Sequence, residues 1–158
     1  TADFFEHNRS HGMAVADFDR DGDLDLMVGH SLARCDQNAP NDCYETAQVR
    51  AFENVFADAG NWIQLALEGT GGSNRAAIGA RIEIATPDGQ LLVQEVDGGH
   101  GHYGAQQDLV RHFGLAGACT AEVTIRWPDA ELTTETWPVN AGYRYRITQG
   151  SAPVAQVD

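Results

Sequence analysis

Lysine is absent: the ten basic side chains other than histidine are all arginine, set against 23 aspartates and glutamates in 158 residues, for a formal net charge of −13. That balance works against nucleic acid and anionic membranes as partners, and it suits cation binding and solubility. Long hydrophobic runs are missing too, and none reaches the roughly eighteen residues that would read as a membrane span. No secretory leader is present, and because the chain begins at Thr1 a leader or an upstream region is expected to have been removed. There is no GxSxG elbow, Walker loop or dinucleotide fingerprint, and the glycine-rich stretch at 69–72 lacks the lysine of a phosphate cradle. Cysteine is scarce, with three residues and no CxxC pair, so a zinc site is not indicated. The composition works against disorder, because 42% hydrophobic residues in alternating segments can fill a core. The length fits one domain, or one domain with a small attached piece.

The most informative stretch is Asp17-Phe18-Asp19-Arg20-Asp21-Gly22-Asp23-Leu24-Asp25, where carboxylates recur at every second position. Calcium takes six to eight hard oxygen ligands. A loop of this kind presents side chains from positions 1, 3 and 5, a carbonyl from position 7 and a later carboxylate, with Gly at position 6 for the sharp turn. Those positions are Asp17, Asp19, Asp21, the Asp23 carbonyl and Asp25, with Gly22 at the turn. Without a cation, five like charges repel at short range, so Ca2+ is expected to be part of the fold. The plainer alternative is an acidic surface turn with no ion. An EF-hand does not fit, because position 12 is Val28 and the flanks read as strands.

Cys35 and Cys43 bracket a polar, turn-rich stretch and are expected to pair; closing so short a loop contributes about 2–3 kcal/mol. A disulfide fits an oxidising, calcium-rich exterior. Cys119 is expected to stay free, as a small buried apolar residue. His7 and His11, four apart near the start, have no accompanying HExxH motif and read as ordinary polar residues.

The rest reads as strands. Met13 to Ala16 and Leu24 to Gly29 flank the acidic loop, and residues 47–54 form a third strand. From Asn61 the alternation becomes regular: Ile63, Leu65 and Leu67, then Ala80, Ile82 and Ile84, then Val123, Ile125 and Trp127, then Tyr143, Tyr145 and Ile147 share faces against polar neighbours. Pro87-Asp88-Gly89 and Pro128-Asp129 mark turns. The fold class is all-β: a blade-like strand unit with a calcium loop over 1–58, packed on a β-sandwich over 59–150, with a tail at 151–158. No second copy of the acidic loop occurs.

Residues 12–26 resemble an FG-GAP or VCBS calcium-binding blade. Asn74-Arg75 with Ile78-Gly79-Ala80-Arg81, Gly98-Gly99, His112-Phe113-Gly114-Leu115 and Arg126-Trp127-Pro128-Asp129 resemble an ASPIC/UnbV domain. The resemblance implies a secreted or surface protein, extracellular or at the bacterial periplasm or cell surface. It also implies calcium held by Asp17, Asp19, Asp21 and Asp25 with the Asp23 carbonyl, and no established enzymatic activity. Two departures stand out. A propeller needs at least about four blades and one is present, and relatives tend to carry Gly-Ser-Gly-Tyr where this chain has Gly99-His100-Gly101-His102-Tyr103.

His100 and His102, with His112 ten residues further on, are candidates for a second metal through neutral imidazoles. Trp62, Trp127 and Trp137 are candidates for a sugar-stacking platform, although alternation assigns Trp127 to the core. Two functions follow. One is a calcium-binding extracellular interaction module that is not an enzyme; the other is a carbohydrate-binding or hydrolytic domain using loop histidines or exposed aromatics. The expected partner is a protein or a glycan, with self-association through the open blade edge as a further expectation. The Val49 and Phe52 region is expected to pack against the sandwich, or the unit to share its edge with another chain; either way, removing calcium is expected to destabilise the whole chain as one unit.

Overall fold

A computed structural model describes residues 10–30, 48–55, 60–99 and 106–156. The chain divides into two compact units, one within Thr1–Val55 and Gly99–Gln107 and the other within Phe56–Gly98 and Asp108–Asp158. The described residues form strands, turns and irregular segments; no described helix is long and apolar enough to cross a membrane. The expected pair Cys35 and Cys43 lies outside the described residues.

The first unit is an antiparallel sheet of β1 (Ser10–Ala16), β2 (Asp25–His30) and β3 (Gln48–Phe52), in the order β1-β2-β3. Its register puts Val15, Leu26 and Phe52 in one row and Ala14, Met27 and Ala51 in a row on the opposite face. Both faces are therefore largely apolar. Val49 is 69% exposed. Its row partners are Gly29 and Gly12, which offer no side chain to pack against.

The second unit is a β-sandwich of two four-stranded sheets. One has the order β11-β10-β4-β7, from β4 (Asn61–Glu68), β7 (Arg111–Ala116), β10 (Tyr143–Thr148) and β11 (Val154–Gln156). The other has the order β6-β5-β8-β9, from β5 (Arg81–Ala85), β6 (Leu91–Glu95), β8 (Thr120–Arg126) and β9 (Thr134–Asn140). Period-2 alternation sends Ile63, Leu65, Ile82, Ile84, Val123, Ile125 and Ile147 inward to 0% exposure. Trp127 joins them at 0% because its indole N–H, costly to bury alone, donates to Glu135 Oε2 at 2.7 Å. Tyr145 completes the series differently: its hydroxyl bonds both the N–H and the carbonyl of Asn140 at 3.1 Å, clasping the turn before β10.

Three expectations are corrected. The segment past residue 150 is not merely a tail, since Val154 to Gln156 pair with Arg146 to Arg144. Tyr143 shares its parity with the core residues of β10 yet is 43% exposed, because it sits at the strand's entry. Cys119 is free but exposed rather than buried; it follows the tight turn in which Ala118 N–H bonds the Leu115 carbonyl, and that turn faces solvent.

The Arg126-Trp127-Pro128-Asp129 stretch turns from β8 towards β9 in one sheet, and Asp129 ties that turn to the chain just past β10 of the other. Buried Asp129 accepts from Thr133 N–H at 2.8 Å and from Gln149 Nε2 at 2.6 Å, while Gln149 Oε1 accepts from Thr70 N–H at 3.1 Å. The Thr133 backbone N–H is the main reason the Asp129 carboxyl sits below its ordinary value, with the Thr133 and Gln149 side chains adding to it against the opposing effect of burial. A depressed carboxyl contributes stability that is fully present above its unfolded value and lost as pH falls through the folded one. Thermal melts from pH 5 downward are therefore expected to show wild type losing stability below about pH 3.9 more steeply than Asp129→Asn. Parallel curves for the two proteins would show that Asp129 contributes no such linkage.

Candidate metal centre

The acidic loop runs from the end of β1 to the first residue of β2. Its shape comes from its own side chains: Asp17 Oδ2 accepts from Gly22 N–H at 3.0 Å, Asp19 Oδ1 from Asp21 N–H at 3.2 Å, and Asp21 Oδ1 from Asp23 N–H at 2.8 Å. The last two are Asx turns, and with the longer Asp17 bond they bend the chain back on itself. Gly22 takes φ 101°, a left-handed conformation that a Cβ would strain, and it is buried.

The fold brings Asp17, Asp19 and Asp21 together, with one carboxylate oxygen of each within 4.8 Å of the others; Asp17 is half-buried and the other two are exposed. Two calcium–oxygen bonds of about 2.3–2.6 Å span roughly 4.6–5.2 Å, so a single calcium ion can touch all three oxygens. Three hard, anionic oxygens also match the chemistry of calcium better than that of a soft transition metal. Among the described residues this is the sole group of three or more His, Cys, Asp or Glu side chains with metal-holding geometry.

Asp25 is not in that group. It is 5% exposed, with Oδ2 accepting from Phe18 N–H at 3.0 Å and Oδ1 from Asn54 N–H at 2.8 Å. The carboxylate thus ties the start of the acidic loop to the chain just past β3. Sequence reading assigned it to the ion because the alternating pattern is continuous, and nothing local signals a partner 29 residues away. Asp23 enters the observed bonding through its N–H.

Of the three histidines, His100 and His102 lie outside the described residues. His112 lies on β7 and is half-buried, with its ring stacked on Trp62 at 6.1 Å between centroids and 20° between planes. Its carbonyl accepts from Gln94 Nε2 at 2.7 Å, joining edge strand β7 to edge strand β6. Trp62 and Trp137 are half-buried and Trp127 is in the core, so the three indoles do not form one exposed platform.

The ASPIC and UnbV family profile matches residues 69–154, a span that contains the Asn74, Gly98-Gly99, His112 and Arg126 motifs and excludes the acidic loop. Cartilage acidic protein 1 of Xenopus tropicalis is 27% identical over 128 residues, covering 81% of this chain and 18% of the relative. The mouse protein of that name is 29% identical over 128 residues, with the same coverage, and the human one 29% over 126 residues, covering 80% and 17%. The chain spans less than a fifth of the length of these curated relatives.

Proposed function

The chain belongs to the ASPIC and UnbV family, and from that premise we infer that it is an extracellular, non-catalytic interaction module whose acidic loop binds calcium. The observation that carries this reading is the convergence of the Asp17, Asp19 and Asp21 carboxylates to within 4.8 Å. Asp17, Asp19 and Asp21 would hold the ion through their side chains, and the Asp23 carbonyl would complete the set. The ion would neutralise the repulsion among these carboxylates, and Asp25 would act as the buckle that keeps the loop closed. The net charge of −13 further favours cations over polyanions as ligands. A location outside the cell, with a protein or glycan partner, fits both this charge and relatives whose name is cartilage acidic protein.

Isothermal titration with calcium is expected to give one saturable site, with Asp19→Ala weakening affinity at least about tenfold by removing a ligand and a charge together. Asp19 is exposed and its bond stays within the loop, so the variant remains folded in chelator. Absence of binding heat at millimolar calcium, or an unchanged affinity in Asp19→Ala, would remove the loop as a calcium site.

A further inference from the structure

The acidic loop leaves unused one feature of the first unit, the outer edge of β1. Val15 N–H and Met13 C=O are two residues apart and therefore point to the same side of the strand, away from β2. Such an edge is a ready template for another strand. Among the described residues one side chain occupies it: Gln107 Oε1 accepts from Val15 N–H at 2.7 Å, and Gln107 Nε2 donates to the Met13 carbonyl at 3.0 Å. A single primary amide thus reproduces the donor and acceptor of one peptide unit of a neighbouring strand. Residues 106–108 have no regular structure, so what meets β1 there is a side chain and not a ladder.

We propose that Gln107 is a removable cap on a self-complementary edge, and that the occupant it excludes is β1 of a second copy of this chain. Gly12-Met13-Ala14-Val15-Ala16 carries no charge in a protein whose net charge is −13, so an antiparallel copy about a two-fold axis brings no like charges face to face. Its side chains are small or unbranched apart from Val15, and Met13 is 53% exposed beside the edge. The segment is apolar, with no charge and no proline, so it lacks the side chains that usually guard a bare edge against strand addition. Gln107 makes two hydrogen bonds, whereas paired strands of this length exchange several. The cap therefore holds the edge closed by proximity within one chain and not by superior bonding. This inference does not rest on the calcium reading.

The test is the mass in solution of wild type, Gln107→Ala and the double variant Gln107→Ala with Met13→Lys, by size-exclusion chromatography with light scattering in calcium at matched concentration. Wild type is expected at the monomer mass of 17.1 kDa and Gln107→Ala at twice that value. The double variant is expected to return to the monomer, because a lysine beside the edge meets its own copy across the two-fold axis. A monomeric Gln107→Ala overturns the proposal, and so does a wild type that is already dimeric. Association of Gln107→Ala that the lysine does not reverse also overturns it, since association through unfolded chain does not depend on residue 13.

Discussion

Replacing Trp127 with alanine is expected to remove about 3–5 kcal/mol from the stability of the sandwich. The indole is the largest fully buried side chain of the described structure, at 0% exposure directly after β8. Its removal loses the transfer free energy of the ring and leaves a cavity that a rigid two-sheet core closes only partly. It also takes the N–H away from Glu135 Oε2, although Glu135 Oε1 keeps its bond from Gly150 N–H at 2.8 Å. Against a typical domain stability of about 5–15 kcal/mol, that loss leaves a marginal fold. Urea unfolding followed by far-ultraviolet circular dichroism reads it directly. Trp127→Phe keeps most of the volume and is expected to lose less than half as much. A loss below about 1 kcal/mol for the alanine variant is incompatible with a core built around this ring.

The second large effect is expected at Asp25. Asp25→Ala removes the acceptor for both Phe18 N–H and Asn54 N–H. A buried donor left without a partner costs about 1–3 kcal/mol. Both bonds are partly buried, so together they amount to about 2–3 kcal/mol. The acidic loop then loses its tie to the chain beyond β3. Hydrogen exchange in chelator is expected to accelerate at Phe18, at Asn54 and along β1 to β3. Asp19→Ala in the same buffer is expected to leave those rates close to wild type, because Asp19 is exposed and bonds within the loop alone. The contrast separates two carboxylates that look alike in sequence. If Asp25→Ala exchanges like wild type, the buckle role is wrong.

What the sequence by itself determined is what short-range chemistry determines. Alternation at Ile63 and Leu65, at Ile82 and Ile84, and at Val123, Ile125 and Trp127 marks strand faces, because side chains two apart lie on one side of a strand whatever it pairs with. The Asp-x-Asp-x-Asp-Gly run specifies its turn through bonds that span two to five residues. The ASPIC/UnbV motifs were legible for the same reason, since residues such as Asn74 act on near neighbours: its side chain bonds both the N–H and the carbonyl of Ile78. The tertiary structure alone decided which strands meet. The parallel pairing of β4 with β10 and the capping of β1 by Gln107, 92 residues beyond Val15, follow from chain closure that no local pattern encodes. So do the diversion of Asp25 from the acidic cluster to the Asn54 N–H and the exposure of Cys119. Gly69 belongs here as well. A Cβ there would collide with the Asn74 carbonyl oxygen, a demand set by a returning loop and invisible in a residue that reads simply as part of a glycine-rich turn. Period, turn chemistry and charge are properties of neighbours in sequence; edges, burial and close approach are properties of neighbours in space, and these appear only when the chain has folded.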